Sequence, residues 1–144
     1  MRFTQEMMLH SASGYSMPFE ERDKEVEMTL GYGKQKHPKS GKVFDHTGVD
    51  FNAPYYMLSA IATGKVTGIG NDDTHGLYQI IRYGDYEVNY SHLSNVFAGF
   101  GREVHAGQVV SISAEMLHLE VRYKGEAINP LEFLTMVYCN LKSL

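Results

Sequence analysis

The run from Leu117 to Tyr123 limits what this chain can fold into more than any other stretch. Leu117, Leu119, Val121 and Tyr123 alternate with His118, Glu120 and Arg122. Strict period-two alternation is the pattern of a strand with one face buried and one face open to solvent or a cleft. Such a strand needs partners, and the chain supplies them. Val26–Leu30 alternates in the same way, and Tyr56–Gly70 reads as two strands around a tight turn at Thr63-Gly64. Tyr78–Tyr83 and Tyr86–Tyr90 read as an antiparallel pair joined at Gly84-Asp85, with Val109–Ser113 as a further strand.

The segments between are turn-like. Gly31–Lys42 is predicted to be a loop or bent ribbon, Asn71–Gly76 and Glu103–Gln108 polar loops, and Ser91–Phe97 a short helical turn. Behind Pro130, a residue suited to a first helical position, Leu131, Leu134, Val137 and Leu141 recur at helical spacing. The expected fold is therefore mostly β: a single-domain antiparallel sheet with a short C-terminal helix covering one edge or end. Residues 1–24 are expected to be an N-terminal arm or extension, or a first strand plus loop, ending in the charged run FEERDKEVE, residues 25–134 the folded domain, and residues 135–144 a helical tail.

Composition narrows the function. A chain of 144 residues, 43% hydrophobic and 21% charged, makes one domain with a real core. A formal net charge of -4 opposes nucleic-acid binding, which calls for a basic stripe. There is no long apolar run for a membrane span, and the first residues lack the sustained apolar stretch of a signal peptide. The single cysteine, Cys139, excludes an internal disulfide and a cysteine-based zinc cluster.

The chemistry that remains is imidazole and carboxylate. His46 and Asp50 flank Thr47-Gly48-Val49, and one imidazole nitrogen with one carboxylate oxygen suits a borderline-soft cation such as zinc if a second histidine arrives from elsewhere. On its own the pair serves equally as a turn histidine beside a solvated aspartate. His118 is in the same position, since a histidine on the polar side of a strand is often only exposed. If the strand carrying His118 lies beside the His46–Asp50 segment, the sheet presents two imidazoles and a carboxylate. With a fourth position open, that is the donor set of a catalytic zinc site rather than a structural one. His92, in YSHLS directly after a strand, is the candidate for a non-ligand imidazole that takes or gives a proton; a plain loop histidine has the same sequence appearance. His37 and His75 are loop residues able to border a groove, and His10 and His105 have no partner pattern.

Taken together these segments resemble the family M23 zinc metallopeptidases, the lysostaphin and LytM-type peptidoglycan endopeptidases, from roughly Met28 to Leu134. LGYGKQKHPKSGKVFDHTGVDFNAP is similar to the family's opening ribbon and its histidine, any residue, glycine, any residue, aspartate motif. ATGKV resembles its turn into a strand, YSHLS its catalytic-histidine loop, AGFGREVHAGQVVSIS its paired glycine turns, and LHLEVRYKGEAINPLEFL its last strand, hairpin and exit. The resemblance implies a lysostaphin-like sheet fold of the duplicated hybrid-motif type, Zn2+ held by His46, Asp50 and His118, and His92 as a catalytic histidine.

Two departures stand out. The family's last strand normally opens with histidine, any residue, histidine, and the first of these positions is Met116 here. A thioether offers no proton and accepts hydrogen bonds poorly. The family's Gly/Ser/Thr-rich loop before that strand is reduced to Ala114 and Glu115, so Glu115 and Met116 are expected to border the groove with His37 and His75. What the resemblance implies is a zinc-dependent endopeptidase acting on peptidoglycan peptides at the cell wall or as part of a virion. The alternative is a catalytically impaired zinc-binding domain that acts as a wall-binding, activating or structural component, with a protein partner docking on the N-terminal arm or the C-terminal helix. Another zinc hydrolase or a sugar-binding module on a similar sheet is the remaining reading.

Overall fold

The computed structural model describes residues 3–20 and 26–142. A 3-10 turn, Gln5–Met7, comes first. The strands follow in chain order as β1 (Met28–Leu30), β2 (Gly33–Lys36), β3 (Val43–His46), β4 (Val49–Phe51), β5 (Met57–Ser59) and β6 (Gly64–Asp72). Next come β7 (Gly76–Tyr83), β8 (Tyr86–Val96), β9 (Glu103–Val104), β10 (Val109–Tyr123) and β11 (Glu126–Ile128), and the chain closes with helix α1 (Pro130–Lys142). Nine strands make one sheet in the order β1-β4-β10-β8-β7-β6-β9, with β5 and β11 also paired to β10, and β2 and β3 form a separate ribbon. All of the pairings are antiparallel.

β10 is the spine. Leu117, Leu119 and Val121 on its apolar side are fully buried, and burying each such side chain is worth roughly 1.5–3 kcal/mol. On one side β10 pairs with β4, setting His118 opposite Asp50; on the other it pairs with β8, setting His118 opposite Ser91.

The structure corrects several sequence expectations. Val109–Ser113 and Leu117–Tyr123 are one continuous strand rather than two. The intervening residues are held on the neighbouring loop: the Tyr55 amide donates to the Ala114 carbonyl at 2.7 Å and the Tyr56 amide to Ser113 Oγ at 2.8 Å. Ser91–Phe97 is not a helical turn; β8 runs through it to Val96. Its alternation is broken by a bulge at His92, whose φ is +59° and which falls where the β7–β8 register steps from Tyr78↔Ser91 to Leu77↔Leu93. The Asn71–Gly76 loop shrinks to a turn, because the β6–β7 ladder extends to Asp72↔Gly76. Gly31–Lys42 is the ribbon form, with β2 paired to β3, and Val26–Leu30 is strand only from Met28. Within Glu103–Gln108 a two-residue strand, β9, pairs with β6.

Both ends pack on the same core. Met7 and Leu9 are buried, the Tyr86 hydroxyl donates to the Met7 carbonyl, and Phe19 lies edge-on to Phe51 with centroids 5.3 Å apart. In α1, Phe133, Leu134, Met136 and Val137 are buried and the Phe133 ring lies 4.8 Å from that of Tyr86. The helix passes through residue 134 without a break. Residues 21–25 of the charged run lie outside the described residues. Among the described residues no helix is long and apolar enough to cross a membrane.

Candidate metal centre

The turn from β3 into β4 is where the site is made. Gly48 runs so close over β10 that a side chain there would strike the Leu119 carbonyl oxygen and come within 2.9 Å of Glu120 Cγ and His118 Cε1. This close approach is the reason for a glycine between His46 and Asp50. Val49 is buried as an anchor, and Asp50, opposite His118, projects to the other side.

His46, Asp50 and His118 converge. His118 Nδ1 lies 2.6 Å from Asp50 Oδ1 and His46 Nε2 lies 3.5 Å from the same oxygen. The ring centroids of the two histidines are 5.1 Å apart. His46 Nδ1 donates to the Gly31 carbonyl at 2.8 Å, which leaves Nε2 with its lone pair toward Asp50. One atom from each residue lies within 4.8 Å of the others. Two imidazole nitrogens and one carboxylate oxygen at this spacing fit a zinc ion.

Behind them lies a second layer. Glu120 Oε1 accepts from His118 Nε2 at 3.0 Å, from Thr47 Oγ1 at 2.7 Å and from His75 Nε2 at 3.1 Å. Asp72 receives the His75 backbone amide at 2.6 Å and faces its Nδ1 with both carboxylate oxygens at 3.1 Å. In the metal-free chain burial pulls the His118 imidazole down, but hydrogen bonds and charge from Asp50 and Glu120 outweigh it and raise its pKa to about 9. Burial likewise pushes Glu120 up, yet the bonds from His118, Thr47 and His75 bring it down to about 2.

His92 stands at the rim. Its backbone amide donates to the His75 carbonyl at 2.8 Å, and its ring lies edge-on to His118 with centroids 6.1 Å apart. Burial first, then the charge of His118, lowers its pKa below the usual histidine value, which favours the neutral form that accepts a proton.

The residues expected along the groove divide. His75, from the β6–β7 turn, reaches the cluster, its ring centroid 6.0 Å from that of His118. Met116 sits half-buried in β10, two residues before His118 and so on the same side of the strand. Glu115 is exposed. His37 lies in the turn of the β2–β3 ribbon, where its Nδ1 accepts the amides of Lys39 and Ser40 at 3.3 Å. Sequence reasoning missed Thr47, Asp72 and the Gly31 carbonyl, and it treated Glu120 only as a polar-face residue. For Glu120 a signal existed, since it shares a strand face with His118.

This is a mostly β domain with a histidine–carboxylate cluster mounted on its central strand. The profile described as Peptidase family M23 matches residues 44–130, and the chain belongs to that family. It is 28% identical over 116 residues to the peptidoglycan DD-endopeptidase ShyB of Vibrio cholerae, covering 74% of this chain and 27% of that protein. It is 32% identical over 114 residues to the murein hydrolase activator NlpD of Escherichia coli, covering 67% and 30% respectively. The chain thus spans less than a third of each of these relatives. The catalytic domain of the antimicrobial peptidase lysostaphin from Staphylococcus simulans superposes with a TM-score of 0.65 at 26% identity, over 76% of this chain and 92% of that one. The fold is lysostaphin-like.

Proposed function

We propose that this chain is a zinc-dependent endopeptidase that cleaves peptide cross-links of bacterial peptidoglycan. The observation that carries the reading is the convergence of His46 Nε2, Asp50 Oδ1 and His118 Nδ1 beside the His92 imidazole, whose ring lies edge-on to His118. His46, Asp50 and His118 are the residues to hold the ion. Zinc bound there supplies Lewis-acid polarisation of a peptide carbonyl and acidifies water. Glu120 retains the Nε2 proton of His118 and so keeps its Nδ1 lone pair aimed at the cluster. The Gly31 carbonyl does the same for His46 through the opposite nitrogen. His92 accepts a proton from the attacking water and returns it to the departing amine. Its bulge and its backbone bond to His75 hold the ring at the rim, where a bound peptide has access to it. The site of action that follows is the extracytoplasmic wall or a virion that meets it.

The test is metal analysis of the purified protein coupled to digestion of several purified peptidoglycans, read by mass spectrometry. One tightly bound zinc and new termini at cross-links are expected, both lost in His46→Ala and His118→Ala. A zinc-loaded protein that leaves every peptidoglycan uncut overturns the reading.

A second reading is supported by Met116 and by the unbroken β10, which replaces a loop at the groove wall. A thioether leaves one side of the cleft without an N–H donor, and loss of one such donor costs about 3 kcal/mol of transition-state stabilisation. The chain then acts like its activator relative, binding the wall or a protein partner through the N-terminal segment or α1 without turning over. Wild-type protein that is inert and a Met116→His variant that cleaves select this reading.

A further inference from the structure

The arrangement around His46 occurs twice in this molecule. In the first instance the Gly31 carbonyl takes the Nδ1 proton of His46 at 2.8 Å, and Nε2 is left facing the Asp50 carboxylate at 3.5 Å. In the second, Asp72 occupies Nδ1 of His75 with both oxygens at 3.1 Å, and Nε2 is left facing Glu120 Oε1 at 3.1 Å. A ring nitrogen and a carboxylate oxygen that face each other in this way are joined either by a proton on the nitrogen or by a metal ion.

The geometry accommodates the ion. One ligand atom from each of His75, His118 and Glu120 lies within 4.8 Å of the others, as in the first cluster. Around tetrahedral zinc with bonds near 2.0–2.1 Å, ligand atoms stand roughly 3.3 Å apart. The present separations from Glu120 Oε1, 3.0 Å to His118 and 3.1 Å to His75, need to open by only a few tenths of an ångström. The outer bonds that ligating residues usually carry are also in place: Asp72 behind His75, and the Thr47 hydroxyl on Glu120 at 2.7 Å.

We infer that His75, Glu120 and the far nitrogen of His118 form a second site for a borderline divalent ion of the zinc or copper class, with His118 presenting one nitrogen to each of two ions. Two imidazoles and one carboxylate favour such ions over magnesium or calcium, which take shells of oxygen. The second ion displaces the Nε2 proton of His118 to solvent, so it binds more weakly and fills after the first. This inference rests on the first cluster holding an ion.

Metal-free protein, prepared by chelation and dialysis, is titrated with zinc against a competing chromophoric chelator while the histidine ring nitrogens are followed by NMR. Two equivalents are expected, with the His75 resonances moving only in the second step. His75→Ala takes up one equivalent, which is lost when His46→Ala is added. Asp72→Asn, which leaves every ligand atom in place, weakens the second step alone, by roughly tenfold or more. A single equivalent that disappears in His46→Ala, with the His75 ring unmoved in excess zinc, overturns the second site while sparing the first. A second equivalent that persists in His75→Ala also overturns it, because the ion then lies elsewhere. A wild-type protein that takes up no zinc overturns both.

Discussion

At Gly48 a single hydrogen atom in place of a methyl group decides whether the site can close. A Cβ there meets the Leu119 carbonyl and crowds Glu120 and His118, so backbone must shift to admit it. Gly48→Ala is expected to cost about 1–3 kcal/mol of stability, as overpacking does, and to weaken zinc binding by on the order of tenfold because His46 and Asp50 move apart from His118. Urea denaturation and chelator competition measure the two effects. The His118–Glu120 pair has a pH signature of its own. His118 is raised in the metal-free fold to about 9, so its contribution is full below its unfolded value near 6.5 and is lost as pH rises toward 9. Glu120 is lowered to about 2, so its contribution is full above its unfolded value near 4.3 and is lost as pH falls toward 2. Metal-free protein should therefore show this stabilisation in full between those two unfolded values, with a decline on each side. Zinc should remove the alkaline decline, because a ligated His118 carries no proton on Nδ1. Thermal melts across pH with and without the ion show whether it does.

β10 shows how far an element can be understood from its own residues. The alternation of Leu117, Leu119 and Val121 with His118, Glu120 and Arg122 sets the two faces, and the apolar three are fully buried. Leu119→Ala should cost about 2–5 kcal/mol, whereas Arg122→Ala, at an exposed position, should change stability by no more than about 0.5 kcal/mol; chemical denaturation of both variants is the measurement. β8 was harder to read. Its second half carries Ser91, His92, Ser94 and Asn95, polar enough to look like a helical turn, and the bulge at His92 breaks the period a strand would show. The helix behind Pro130 was visible because Leu131, Leu134 and Val137 keep a helical spacing. Its extent past residue 134 is set by packing against the N-terminal segment and the sheet.

Across the whole molecule, the N-terminal segment and α1 close one core together. The Tyr86 hydroxyl binds the Met7 carbonyl, and the Tyr86 ring packs on both Phe133 and Tyr123 with centroids 4.8 Å away. Tyr86→Phe keeps the packing and leaves a carbonyl without its donor, so it should cost about 1–3 kcal/mol, read as a lowered melting temperature. An arm standing free of the domain would leave that temperature unchanged.

By itself the sequence determined the strand alternation, the closing helix and the residue types of the candidate site. These are local: each depends on spacing within a few residues or on the chemistry of one side chain. Only the tertiary structure decided that Asp50 and Ser91 flank His118, that β8 and β10 continue through their polar stretches, and that His75 joins Glu120. Those outcomes depend on register between strands far apart in the chain, and shifting a strand by one residue turns every side chain on it to the opposite face.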